Sequence, residues 1–183
     1  MNKVKLESYD NSDFDVGVSS FKWICWFFIN GLIVKNRLNP LMFTKRYFLK
    51  LFGAKLGKRV IIKPGVNIKF PWRLEVGDYV WLGENVGIEN QTWVKIGSNS
   101  CLSQDCKIIA GNHDFTKQTF DLITKPISLG EGSWVGAGSI VCPGVSFGSH
   151  AVLTVGSIAT SNLEPYGIYQ GNPALKIKER VIL

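Results

Sequence analysis

The sequence is poor in several things that whole classes of function require. Its 183 residues include only two histidines, two methionines and four cysteines. Cys25, Cys101, Cys106 and Cys142 form no CxxC pair and stand at no zinc spacing with a histidine. A zinc module is therefore excluded, no metal chemistry is expected, and the thiols read as small apolar core residues of a reducing compartment. No apolar run reaches the roughly 20 residues that a membrane helix needs. The strongest candidate, residues 21–34, carries Lys22 and Asn30 within it. The opening MNKVKLESYDNSDFD is polar and acidic beyond Lys5, unlike a signal peptide. GAGSIVCPG is glycine-rich but follows no strand-to-helix pattern, so it is no nucleotide fingerprint.

Acidic residues are also missing from one long stretch. Between Lys22 and Arg59 there are nine basic residues and no acidic one. The net charge of +7 lies entirely in residues 1–60, with 11 basic against 4 acidic; residues 61–183 hold 10 of each. A nucleic-acid footprint would spread over a binding face. This one adjoins FKWICWFFINGLIV, so no nucleic-acid partner is expected. Two short helices are predicted, over residues 21–34 and 38–52. Pro40 would stand in the first turn of the second. Leu41, Tyr47, Phe48, Leu51 and Phe52 would share its apolar face, with Lys45, Arg46 and Lys50 elsewhere. These helices could cap the rest of the chain. They could also lie on an anionic membrane surface. The two roles are compatible.

What is present is a repeat. From Leu56 onward an aliphatic residue returns every six positions: Leu56, Ile62, Ile68; Val76, Leu82, Ile88; Ile96, Leu102, Ile108; and Leu129 through Ala159. Glycine often follows it, as in Val76-Gly77 and Val135-Gly136. A helix would need spacings of three and four, and a sandwich would need turns every 8–12 residues. Period six suits a parallel β-helix, in which three short strands make one triangular coil and the aliphatic residue points inward. The small residue after it would relieve crowding at the turn, and glycine would permit unusual φ there. Two-residue slips at 68–76 and 88–96 would be corner loops. The step from Ile108 to Leu129 is 21 residues, three beyond an 18-residue coil, so a loop at 110–126 is inserted while stacking continues. The expected organisation is an N-terminal extension, 1–55, and a β-helix, 56–183, with a C-terminal tail.

Repeats of this form, the ending YQGNPALKIKER, and the segments GNHDFTKQTFDLITKPI, FGAKLGKRVIIKPGV and FPWRLEVGDYVWLGE are similar to the hexapeptide-repeat O-acetyltransferases. The likeness is to the colanic-acid type of bacterial exopolysaccharide synthesis. It implies a mainly β fold, a single-stranded left-handed β-helix, against the usual crossover hand. It also implies acetyl transfer from acetyl-CoA to a sugar hydroxyl, on a free or lipid-linked oligosaccharide, by a cytoplasmic homotrimer peripheral to the inner membrane. Two alternatives are acetylation of a soluble small molecule and a non-catalytic β-helix scaffold.

Such a transfer needs a base for the hydroxyl proton, donors for the oxyanion, and positioning of both substrates. Histidine suits the base. His150 falls on a repeat corner and reads as a solvated residue, whereas His113 lies in the loop where the repeat stops. The family keeps its general base at that place. Asp114 is the adjacent candidate to orient it, with Asp121, Asp105 and Glu89 as alternatives; Asp121 is also a candidate acceptor contact. Asn90 aligns roughly with an acceptor-binding asparagine of related enzymes. For the donor, the resemblance implies Trp134, Gly136, Ala137, Val155 and Thr160 along the pantetheine arm. Near the phosphates it implies Lys176 or Lys178, because Leu175 stands where relatives carry a basic residue. Trp134 would also adjoin the acceptor. No Ser-His-Asp or Cys-His arrangement is indicated, so direct transfer is expected.

Overall fold

A computed structural model describes residues 3–183. Seventeen of its nineteen strands follow the hexapeptide pattern or close its ends, and most are two or three residues long. Strands 55–56, 61–62 and 67–68 form the first coil, one on each of three faces. The register stacks Leu56 on Val76, Val76 on Ile96, Ile96 on Leu129 and Leu129 on Phe147, all parallel. The second face stacks Ile62, Leu82, Leu102, Val135 and Leu153 in the same way. Five complete coils result. A bridge from Phe147 to Leu163 and a terminal hairpin, Gly167–Gly171 with Ala174–Glu179, close the far end. The aliphatic column is the core: Ile62, Leu82, Ile88, Leu102 and Val135 are fully buried.

Of the two reasons expected for the small residue after each aliphatic one, relief of crowding holds and an unusual φ does not. None of Gly77, Gly83 or Gly136 has a left-handed φ. Instead the neighbouring coil passes too close for a side chain. A Cβ at Gly136 would lie 2.6 Å from the Val155 nitrogen, and one at Gly77 would lie 2.6 Å from that of Ser98. The left-handed residue comes two places later, at Asn85, Asn99, Asp105 and His150 among others. Asn and Asp tolerate that conformation best among non-glycine residues. His150 is thus a corner residue, its ring tilted against that of Tyr166.

The inserted loop spends no coil. Ile96 pairs directly with Leu129, so the chain leaves and re-enters at one corner, between the third and first faces. It is also more ordered than a loop. Gly111–His113 and Leu122–Thr124 form an antiparallel hairpin.

The helices cover the beginning of the stack. Helix α1, Ser20–Ile29, is capped by the Ser19 hydroxyl and continues as a π-helical turn, Asn30–Val34. Helix α2 is Met42–Leu51, with Pro40 lying outside it, before the Leu41 N-cap. Within the stack, carbonyls of inward residues accept from the preceding coil, as Leu82 does from Lys63 and Ile96 from Gly77. The first coil has no predecessor, so donors must come from elsewhere. The Trp26 indole takes that place at the Ile68 carbonyl, donating at 3.0 Å, while the Lys45 ammonium donates at 3.1 Å to the Lys63 carbonyl in the turn after Ile62. This shifts the expected face of α2: Lys45 and Leu49 are buried and Phe52 packs against the core beside Trp26 as expected, while Leu41, Tyr47 and Leu51 are exposed. Burial holds the Lys45 ammonium below its ordinary pKa.

Candidate active site

His113 ends the first strand of the hairpin, opposite Leu122. Its Nδ1 lies 2.8 Å from the Phe120 carbonyl oxygen. A carbonyl only accepts, so Nδ1 carries the proton and Nε2 keeps a lone pair in the neutral ring. The Phe120 ring stacks on the imidazole, with centroids 4.5 Å apart and planes 7° apart. Tyr9 meets the same ring edge-on at 5.5 Å. Phe120 adopts φ +53°, a left-handed conformation that costs about 1–3 kcal/mol for a bulky residue. One unfavourable backbone conformation therefore turns both a carbonyl and a ring onto His113. The N-terminal segment secures the hairpin, with the Lys5 N–H donating to the Gln118 carbonyl at 2.9 Å.

The carboxylates suggested as orienters are engaged elsewhere. Asp114 accepts from the Thr116 hydroxyl at 2.6 Å and from its backbone N–H at 3.0 Å, and these bonds hold its pKa below the usual carboxylate value. Asp121 pairs with Lys117 at 2.8 Å, which lowers its pKa likewise. Glu89 faces Lys69 and Asp105 accepts from Asn85. The partner of the imidazole is backbone, which a search for carboxylates overlooks.

Asn90 also needs correction as an acceptor contact. It is fully buried. Its oxygen accepts from the Phe70 N–H at 2.9 Å, and its amide donates to the carbonyls of Phe70 and Arg73. All of this closes the corner loop 70–73 and leaves no group to offer a substrate.

Four of the expected donor-site residues do converge. Trp134, Gly136, Ala137 and Val155 line one groove of about 410 Å³, with Ser103 and Thr154 beside them. The half-exposed Trp134 is held by its indole N–H, 2.9 Å from the Ser103 hydroxyl. Thr160 is exposed beyond the end of the third-face strand Ile158–Ala159. Lys176 sits between Glu164 and Glu179, at 2.7 and 2.6 Å, whereas Lys178 makes no ion pair among the described residues. The groove runs beside the corner between the second and third faces. The His113 hairpin leaves from the corner between the third and first. One prism thus presents the imidazole and the groove at different vertices.

No family model matches the chain. Among curated proteins, WcaF of Escherichia coli K12, named as a colanic acid biosynthesis acetyltransferase, is 35% identical over 165 residues, covering 90% of this chain and 91% of that protein. The chain belongs to that family of acetyltransferases. Solved structures agree on the fold. A maltose O-acetyltransferase from Clostridium difficile 630 superposes with a TM-score of 0.79 at 21% identity, over 87% of this chain and 86% of that one. A hexapeptide-repeat acetyltransferase of Vibrio cholerae, crystallised with acetyl coenzyme A, gives 0.76 at 16% identity, over 87% and 85%. The stack is therefore the left-handed β-helix of the hexapeptide-repeat enzymes. Within the family framework, Phe120 and Tyr9 were missed from sequence. Phe120 lies within the GNHDFTKQTFDLITKPI segment, but neither residue falls on a periodic position, and only the fold brings the two rings to the imidazole.

Proposed function

We propose that this acetyltransferase moves an acetyl group from acetyl-CoA directly to a sugar hydroxyl in bacterial exopolysaccharide synthesis, on a repeat unit or its lipid-linked precursor. The observation that carries this is the imidazole of His113, tied at Nδ1 to the Phe120 carbonyl with Nε2 left as a base. The acceptor hydroxyl gives its proton to Nε2 as its oxygen attacks the thioester carbonyl. The carbonyl C–S bond then breaks, the thiolate takes the proton, and CoA leaves. The Phe120 carbonyl supports the transient imidazolium. Direct transfer is supported by the thiols of the coils: burial pushes Cys106 up to about 12 and raises Cys101 and Cys142, so none of these three offers a ready thiolate.

The donor arm is assigned to the groove of Trp134, Gly136, Ala137 and Val155, with Thr160 and the terminal hairpin toward the nucleotide. Glu164 and Glu179 neutralise Lys176, which favours Lys178 for the phosphates. A homotrimer answers the separation of hairpin and groove, because a neighbour's groove can meet this chain's His113. The exposed aromatics and unopposed cations of the helices support peripheral contact with an anionic membrane on the cytoplasmic side. Among the described residues no helix is long and apolar enough to span one.

Thiol release from acetyl-CoA, measured with a panel of lipid-linked and free oligosaccharides, tests this reading. His113→Ala should fold, keep its assembly and lose about 10²–10⁴-fold in turnover. Asp114→Asn and Asp121→Asn should stay within about threefold, since Asp114 only caps the Thr116 turn and Asp121 sits in a surface ion pair with Lys117. Retained activity in His113→Ala removes it as the base. Transfer to free sugars alone would make the acceptor soluble. No thiol release with any acceptor, and no thermal shift with acetyl-CoA, would leave a scaffold.

A further inference from the structure

We propose that a furrow between helix α1 and the third face of coils one to three binds a lipid phosphate, with the apolar chain at one end and the phosphate at the other. The inference rests on the lipid-linked-acceptor reading above and names where such an acceptor would be held. Two hollows of about 520 and 710 Å³ adjoin there, sharing Gly31, Lys35, Asn67 and Glu89. The first is walled by Trp23, Phe27, Phe28 and Leu32, all exposed. The second is ringed by Lys35, Arg37 and Lys107. Its carboxylate, Glu89, already faces Lys69 at 3.4 Å and Asn67 at 3.4 Å. Lys35, Arg37 and Lys107 make no ion pair among the described residues. An apolar channel ending in three unneutralised cations matches an amphiphile with an anionic head.

The glycines give a second, independent indication. Gly31 and Gly87 both line the furrow, and neither has a left-handed φ. A Cβ at Gly31 would meet nothing within 4 Å, and one at Gly87 only the Lys107 side chain at 3.7 Å. Elsewhere in the described chain, each glycine either has a left-handed φ or would clash with a neighbour. At 31 and 87 the backbone does not require glycine, and glycine in a helix is costly. What it provides is an open floor.

The furrow also leads to the site. Ile109, at its far end, closes the third-face strand just before the hairpin. Four steps along the chain, at most about 13 Å, separate it from His113. A head group anchored at Lys107 would therefore present its attached sugar toward the hairpin.

The test is direct binding to the full chain by calorimetry, with farnesyl diphosphate, farnesol and inorganic pyrophosphate as probes. Farnesyl diphosphate should bind at least about tenfold more tightly than either part alone. Gly31→Leu fills the floor while favouring the helix, and should weaken farnesyl diphosphate about tenfold or more. Lys35→Glu combined with Arg37→Glu should do the same. Acetyl-CoA affinity and thiol release with a soluble acceptor should not change in these variants. Pyrophosphate binding as tightly as farnesyl diphosphate would reduce the furrow to an anion site and overturn the proposal. So would variants that bind like the wild type. A change of assembly in Gly31→Leu would instead assign the furrow to a contact between copies. Acetylation of lipid-linked acceptors without any farnesyl diphosphate binding would sink the furrow and leave the proposed function standing.

Discussion

In the coil stack, aliphatic residues point inward and disappear: Ile62, Leu82, Leu102 and Val135 expose nothing. In the helical region the proportions are reversed. Trp26, Val34 and Leu49 are buried, but Phe21 exposes 77% of its surface, Phe27 65% and Phe43 63%. The stack buries apolar residues because each coil offers the next a complementary face. The helices have only one coil to cover. They spend a few residues on it, together with two polar donors, Trp26 and Lys45, and leave the rest outside. Contiguous exposed aromatics of this kind mark a surface that meets something other than water.

That contrast can be broken at three points. Leu49→Ala should cost about 2–5 kcal/mol, as for other buried leucines. Urea unfolding should show one shifted transition, since Leu49 belongs to the same apolar cluster as Ile62 and Leu82. A separate early transition with the main one unmoved would divide helices from stack. Phe27→Ser with Phe28→Ser should leave folding within about 0.5 kcal/mol, because both residues are exposed. The same pair should lower sedimentation with phosphatidylglycerol vesicles at least about tenfold, given roughly 1.5–3 kcal/mol per buried phenylalanine. Unchanged sedimentation would remove the membrane role. Lys45→Met is expected to have the smallest effect, about 1 kcal/mol, the net worth of one hydrogen bond. A larger loss would make the Lys63 carbonyl a critical acceptor; a gain would show that burying the ammonium costs more than its bond returns.

The stack was legible because its information is periodic. Every sixth residue repeats one environment, so Leu82 and Leu153 could be placed without coordinates. The corner glycines were placed correctly and their role in relieving crowding was foreseen, but not that the left-handed residue would come two places later. For α2, an amphipathic wheel ranked Leu41 and Tyr47 above Lys45. It could not know that an uncapped coil needs a donor more than another side chain. The histidine loop was found by the failure of the repeat, and its meaning came from a family likeness. Asn90 was misassigned because an exposed amide and a fully bonded one read alike in sequence.

By itself, the sequence determined the coils, their order and the place where they are interrupted, because period six leaves one efficient way to bury an aliphatic column. Only the tertiary structure decided what holds His113. Its partners, the Phe120 carbonyl, the Phe120 ring and Tyr9, come from a left-handed turn and a distant N-terminal segment. Their chemistry lies in backbone geometry and long-range contact, neither of which a residue's identity encodes.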